Sequence, residues 1–281
     1  MYYFGIENEY GNKLDLTGME NRWQLTSVTG LNTPPASIST SVIPTFDGER
    51  FNSSRVGMRN IVITLALNGD AEGNRNTLNS VIMSKRRVRV YYSNNSRELY
   101  IDGYVESFEY DVFSQKIMCQ ISIVCPDPFW KDLQGNDFEV LPVVPLLEFP
   151  IGIPEQGMAL SELMDNPAAI IYNNGLSGAG VTMSIESVGD VLYPWIVNTA
   201  TGQRMEFNMS LNPTQSILIS TVRGNKKVFL LEDGKKINAL MNMEGDWLTL
   251  NSGANSILIG AQSGVADMRV NILHRNEYGG V

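Results

Sequence analysis

Apolar and polar residues alternate with a period of two over much of the chain. Ile61, Ile63, Leu65 and Leu67 are interleaved with Val62, Thr64, Ala66 and Asn68, which predicts a strand with one face more apolar than the other. The period then changes. In DAEGNRNTLNSVIMSKRR, Leu78, Val81, Ile82 and Lys85 fall at helical spacing, predicting a short helix whose C-terminus would welcome the basic cluster from Lys85 to Arg89. A β-hairpin is expected next. Val88 and Val90 alternate with Arg87 and Arg89, Ser93-Asn94-Asn95-Ser96 supplies turn chemistry, and LYIDGYVESFEYDVF returns as a long strand. In KIMCQISIVC the odd positions Ile117, Cys119, Ile121 and Ile123 are apolar while Gln120 and Ser122 are polar, the pattern of a half-buried strand.

The pattern resumes beyond residue 168. Val181, Met183 and Ile185 alternate with Thr182, Ser184 and Glu186, and Met205, Phe207, Met209 and Leu211 with Glu206, Asn208 and Ser210. Turn residues stand at Asn173-Asn174-Gly175, Thr201-Gly202, Arg223-Gly224-Asn225, Asp233-Gly234 and Asn251-Ser252-Gly253, as in a sandwich or jelly roll. Between the halves, Pro142, Pro145, Pro150 and Pro154 punctuate LPVVPLLEFPIGIP. Each removes a backbone donor and biases its predecessor to extended backbone, so this stretch reads as a connector. The expected organisation is mainly β: residues 1–135 as a β-sandwich-like domain with one short helix and a hairpin, a connector over 136–168, and a β-sandwich over 169–281.

Composition narrows the function classes. The chain has 281 residues, 43% hydrophobic and 18% charged, enough for two modest domains or one large one. With 21 basic against 30 acidic residues the formal charge is −9, which disfavours broad attraction to nucleic acid or anionic membrane. MYYFGIENEYGNKLDL has no basic segment followed by an apolar one, so no signal peptide is expected, and no apolar run is long enough to span a bilayer. Cys119 and Cys125 would sit roughly 20 Å apart at the ends of one strand, too far to pair. They read as core thiols and suit a reducing compartment. His274 is the single histidine, so a His-rich metal site or a Ser-His-Asp triad is not expected.

Candidate chemistry is sparse. Asp233-Gly234-Lys235-Lys236 lacks the spacing of a phosphate-binding loop and reads as a hairpin turn. Glu106 and Glu109, like Glu9, Asp15, Asp47 and Glu49, read as solvated acids rather than a glycosidase pair. The run Lys85, Arg86, Arg87 and Arg89, with Arg97 across the hairpin, is the one concentrated positive patch. It reads either as a helix cap followed by an exposed strand face or as an intersubunit contact to acids of a neighbour. On the long strand, Leu99, Ile101 and Val105 share one parity and Tyr100, Tyr104, Phe108 and Tyr110 the other. Two apolar faces imply two partners, one of them a candidate second subunit. Tyr193, Trp195 and Trp247 are candidate saccharide contacts or core packing.

The order of these segments resembles a known family. LTSVTGL, FDGERFNSSRVGMRNIVITLAL and above all the run from Arg97 to Trp130, with SRELYIDGYVES, FSQK and QISIVCPDPFW, closely resemble the N-terminal domain of the distal tail proteins of siphophages. The second half, with NNG near Asn173 and YPWIVN at Tyr193, is similar to the sandwich domain that follows in longer members. The resemblance implies a non-enzymatic virion protein without a cofactor at the tail tip, made in the host cytoplasm. It further implies a homohexameric ring joining the tail tube protein to the tail-associated hub protein, with DNA passing through the lumen. A galectin-like C-terminal domain would attach a receptor-binding protein or touch host saccharide, with neither specific nucleic acid binding nor membrane insertion. The alternative from the residues alone is a stand-alone carbohydrate-binding module.

Overall fold

The period-two segments become antiparallel strands in the computed structural model, which describes residues 2–18, 22–45, 47–111, 116–145, 161–163, 167–176 and 178–281. The first unit, Met1–Gln134 with Glu277–Val281, contains β1 (Tyr3–Asn8), β2 (Lys13–Asp15), β3 (Trp23–Thr29), β4 (Ala36–Val42), β5 (Glu49–Val56), β6 (Arg59–Leu67), α1 (Ala71–Val81), β7 (Arg87–Ser93), β8 (Glu98–Tyr110), β9 (Met118–Cys125) and β10 (Trp130–Asp132). Its main sheet runs β2-β1-β7-β8-β9-β6-β3. The core is aliphatic: Ile61, Ile63 and Leu65 of β6 face Ile123, Ile121 and Cys119 of β9 in register, all buried.

Helix α1 opens with the Asp70 carboxylate accepting from Gly73 N–H at 3.0 Å, an N-cap that satisfies one of the free donors of the first turn. Leu78 and Val81 are buried. The helix stops earlier than the spacing predicts. Ile82 is already extended, at φ −102° and ψ 106°, and Lys85 takes a positive φ of 70°. The basic cluster therefore caps nothing; it begins in the turn after the helix and continues on β7.

The second unit, Gly135–Asn276, holds β11 (Asn136–Val140), β12 (Val143–Pro145), β13 (Ser161–Leu163), β14 (Ala168–Asn173), β15 (Ala179–Ser187), β16 (Val191–Leu192), β17 (Trp195–Asn198), β18 (Gln203–Phe207), β19 (Ser210–Leu211), β20 (Gln215–Ser220), β21 (Lys227–Glu232), β22 (Lys235–Asn238), β23 (Met243–Gly245), β24 (Thr249–Leu250), β25 (Gly253–Gly260) and β26 (Met268–His274). Two antiparallel sheets, β11-β26-β15-β20-β21-β22 and β14-β25-β17-β18-β23, enclose one apolar core that includes Val181, Met183, Ile185, Met205 and Phe207. The turns fall where their residues allow: Asp233 and Gly234 both take positive φ, 48° and 74°, the two-residue turn that matches strand twist. The run 205–211 is two strands rather than one, because Asn208 N–H leaves the ladder to bond the Asn242 carbonyl at 2.7 Å.

Two regions differ from the expected organisation. Residues 136–140 are a strand, with Phe138 opposite Ile272 and Val140 opposite Val270, while 146–160 and 164–166 of the expected connector, including Pro150 and Pro154, lie outside the described residues. A final strand, β27 (Glu277–Tyr278), pairs with β10, placing Tyr278 opposite Trp130. The last five residues thus belong to the first unit. Arg59, only 2% exposed, holds them there. Its guanidinium donates to the carbonyls of Gly279, Gly30, Asn32 and, at 2.7 Å, Pro128.

Candidate functional site

The three arginines of the basic run pair with two of the chain's own acids. Arg89 donates to both Asp102 carboxylate oxygens, at 2.8 and 3.1 Å, and Arg87 reaches the same group at 3.2 Å, because Arg89 and Asp102 stand directly opposite on β7 and β8. Arg86 pairs with Glu9 and donates to the Tyr10 hydroxyl at 2.9 Å. Burial alone would raise the Asp102 carboxyl, but the hydrogen bond and charge of Arg89, with Arg87, outweigh it and hold the group below its ordinary value. The hydrogen bond to Asp102 in turn raises the Arg89 guanidinium against its own desolvation. Arg97 is not part of this cluster. It lies at the opposite, turn end of the hairpin, where its guanidinium stacks on Tyr278 with the carbon 4.5 Å from the ring centroid.

The aromatic row of β8 is broken by a bulge. Register shifts between Val105 and Ser107, so Glu106 is the extra residue and every later side chain changes face. Tyr100 and Tyr104 point away from the core, Tyr100 beneath the Arg89 guanidinium at 4.2 Å and Tyr104 open to solvent. Phe108 and Tyr110 instead stand opposite Ile121 and Cys119, pack on the core and lie 4.4 Å apart. Glu106 accepts a hydrogen bond from the Ser122 hydroxyl at 2.8 Å.

An exposed apolar surface lies elsewhere, on β4 and β5. These strands pair only with each other among the described residues, and every residue of both is exposed. The pairing is amphipathic. Ala36 stands opposite Val56, Ile38 opposite Ser54, Thr40 opposite Phe51 and Val42 opposite Glu49; this parity is the apolar face, with Ile38 64%, Val42 71% and Phe51 61% exposed. Ser37, Ser39, Ser41, Arg50, Ser53 and Arg55 occupy the other face. An isolated two-stranded ribbon is marginal in water, and one with an unburied apolar face is an interaction surface. The signal was present in SISTSV, with Asp47-Gly48 as its turn, Gly48 taking φ 96°.

In the second unit, Trp195 is occupied. Its ring lies against Gly260, where an added Cβ would come within 2.2 Å, and the Arg204 guanidinium covers it at 4.5 Å. Trp247 packs partly on the core with Lys226 Nζ 5.5 Å above its ring. Tyr193 is half exposed, and no ring contact joins the three among the described residues. His274 is fully buried, with Nε2 3.1 Å from the Asn276 amide oxygen. Among the described residues no group of acids, cysteines and histidine has metal-binding geometry, and no helix is long and apolar enough to cross a membrane.

Residues 17–125 match the family model described as phage tail protein RIFT-related domain. That span contains the β4–β5 ribbon, the β7–β8 hairpin and most of the first core. The chain resembles the distal tail proteins of siphophages. Its fold extends the likeness to both units: the crystal structure of the Dit protein of phage SPP1, described as a paradigm of hub adsorption apparatus in phages infecting Gram-positive hosts, aligns with TM-score 0.66 at 13% identity over 97% of this chain and 98% of that one. A chain of the phage P2 baseplate in its activated conformation with Ca aligns with TM-score 0.56 at 10% identity over 100% of both. The same baseplate with Sr gives TM-score 0.54, at 10% identity over 98% of each. No curated protein matches the sequence. At these identities the structural likeness is one of fold.

Proposed function

We propose that this chain is a non-enzymatic structural protein of the siphophage tail tip, a distal tail protein that closes into a homohexameric ring. The ring joins the tail tube protein to the tail-associated hub protein, with DNA passing through its lumen, and the galectin-like second unit faces outward toward a receptor-binding protein or host saccharide. The chain is made in the host cytoplasm and ends in the virion tail. Support comes from the tail-domain match over 17–125 and from the two-unit fold shared with the SPP1 protein.

The observation that carries assembly is the β4–β5 ribbon. Its apolar face, Ile38, Val42, Phe51 and Val56, has no cover from its own chain among the described residues, and a second copy would supply that cover. Arg86, Arg87 and Arg89 meet acids of their own chain, so they contribute to a subunit contact only as part of a paired surface with the exposed Tyr104; Tyr100, Phe108 and Arg97 are committed to intrachain packing.

The test is the mass of the purified chain by light scattering across a concentration series, with negative-stain imaging. The expected species has a mass of about 187 kDa, six times 31.2 kDa, and a central hole. The double substitution Ile38→Ser with Phe51→Ser returns it to a single chain with unchanged circular dichroism. A monomer at every concentration, including with an excess of purified tail tubes, overturns the ring.

A further inference from the structure

The outer face of the β11-β26-β15-β20-β21-β22 sheet carries a groove of about 300 Å³ that no assembly role accounts for, at the lower end of the size of small-ligand sites. Its composition follows from register. Directly paired residues share a face, so Asp137, Leu273, Thr182, Ser220 and Lys227 form one outward row across the strands. Asn271, Ser184, Leu218 and Phe229 form the next, and Lys236, opposite Leu231, closes the edge on β22. The inward neighbours Val181, Ile185, Ile217 and Val228 fill the core. Sequence alternation gives this face a polar character, yet Leu218, Phe229 and Leu273 leave an apolar floor in the middle of it.

Two further observations point to an occupant. The Ser220 hydroxyl, on a residue 3% exposed, lies in the groove lining without a hydrogen-bond partner, and a buried hydroxyl left unpaired is unfavourable. Lys227 and Lys236 flank the same end, both exposed, and neither has an ion-pair partner among the described residues. The acid in the lining, Asp137, stands four strands away on β11, roughly 19 Å at the usual strand spacing. The groove therefore has an electropositive end beside an aromatic ring and a polar row leading away from it, in which Ser184 and Asn271 donate to Glu186 at 3.2 and 3.4 Å and offer a ligand their oxygens as acceptors.

We propose that this groove binds a saccharide carrying an anionic group. The apolar face of a pyranose stacks on Phe229 and Leu218, its hydroxyls meet Ser220, Thr182, Ser184 and Asn271, and its phosphate or carboxylate sits between Lys227 and Lys236. A hexose fits the volume. An acidic peptide would satisfy the lysines, but the row of short hydroxyl and amide side chains offers it no deep side-chain pocket. The site is separate from Tyr193, Trp195 and Trp247; it rests on the reading of the second unit as facing a host saccharide and not on ring assembly, which particle mass tests independently.

The experiment is a titration of the full chain with N-acetylglucosamine 6-phosphate, N-acetylglucosamine and inorganic phosphate, followed by saturation-transfer NMR and calorimetry, with glucuronate as a second acid. The phosphorylated sugar is expected to bind at least ten-fold more tightly than either the neutral sugar or phosphate alone. That advantage is lost in Lys227→Ala with Lys236→Ala, two exposed positions whose change leaves the melting temperature unmoved; Phe229→Ala weakens both sugars. Glucuronate binding with equal advantage assigns the anion as carboxylate or phosphate without distinction; its failure assigns phosphate. Equal binding of all three probes, binding of phosphate alone, no binding, or capture of a peptide without any sugar response overturns the proposal.

Discussion

Two hairpins of the first unit are built from similar lengths of chain and meet opposite fates. β7 and β8 are wedged between β1 on one side and β9 with β10 on the other, so Val88, Val90, Leu99, Ile101 and Val105 are buried and the polar face closes on itself through Arg89 and Asp102. β4 and β5 have the same amphipathic alternation and no neighbour among the described residues. Alternation alone therefore specifies a ribbon with one apolar face, while burial of that face depends on whether another strand or another molecule is adjacent. The first hairpin is covered within the chain; the second is left bare among the described residues.

Substitutions can break this contrast. The largest effect is expected at Arg59, which locks the sheet around the first hairpin to residues 277–281. Arg59→Ala strands four carbonyls that the guanidinium now satisfies and should cost about 4 kcal/mol in urea unfolding; an unchanged midpoint would show that those carbonyls find other donors. Next, Ile101→Ala should cost about 3 kcal/mol, because Ile101 is 1% exposed. Phe51→Ala on the open ribbon should cost the isolated chain less than about 0.5 kcal/mol while abolishing the proposed hexamer. Equal costs at the two positions would show that the ribbon is buried against its own chain.

Smaller effects sharpen the polar side. Asp102→Asn unpairs Arg87 and Arg89, and since all three are about a third or more exposed, the loss at neutral pH should be only about 0.5–1 kcal/mol. The sign with pH follows from the lowered carboxyl. Folding is favoured with the group ionised, so the contribution is complete at neutral pH and fades as the pH falls below the ordinary value of 3.8. Wild-type and Asp102→Asn stabilities should converge in acid, and a constant gap down to pH 2 would contradict the pairing. The smallest perturbation is chemical: burial pushes the Cys119 thiol up to about 11 and Cys125 to about 12, so neither should react with a thiol reagent at pH 8 unless the chain is first unfolded.

Much of the fold was legible because its information is local. The strands at 59–67 and 118–125, the Asn94 turn and the Asp233-Gly234 turn each follow from period and turn chemistry within a dozen residues. The helix over-ran by a turn in the spacing argument because the burial of Ile82 is compatible with either backbone; the chain turns extended at this residue and leaves the helix axis, so that Lys85 N–H bonds the Val105 carbonyl of β8 at 2.9 Å. Phe108 illustrates a different limit. Its parity grouped it with Tyr100 and Tyr104 on one face, and one bulged residue, Glu106, moved it to the opposite face, onto the core. No single-strand pattern carries that information, since the bulge is a relation between two strands.

Candidate sites were less legible for the same reason. The basic run was visible as charge, but the pairing of its arginines with Asp102 and Glu9 needed β7 to pair with β8 on one side and β1 on the other. Trp195 looked like a platform until Arg204 and Gly260 were placed around it. The groove on the second unit draws its lining from six strands between residues 137 and 273, none of which marks it alone.

The sequence by itself determined a mainly β chain, the phase of most strands, the turns and the inert cysteines, since each depends on the conformational preferences of neighbouring residues. Only the tertiary structure decided that residues 277–281 return to Arg59, that one hairpin is buried and the other bare, and that Ser220 and Phe229 share an open face with two lysines. Those outcomes depend on contacts between residues distant in the chain, whose geometry is fixed by packing rather than by local preference.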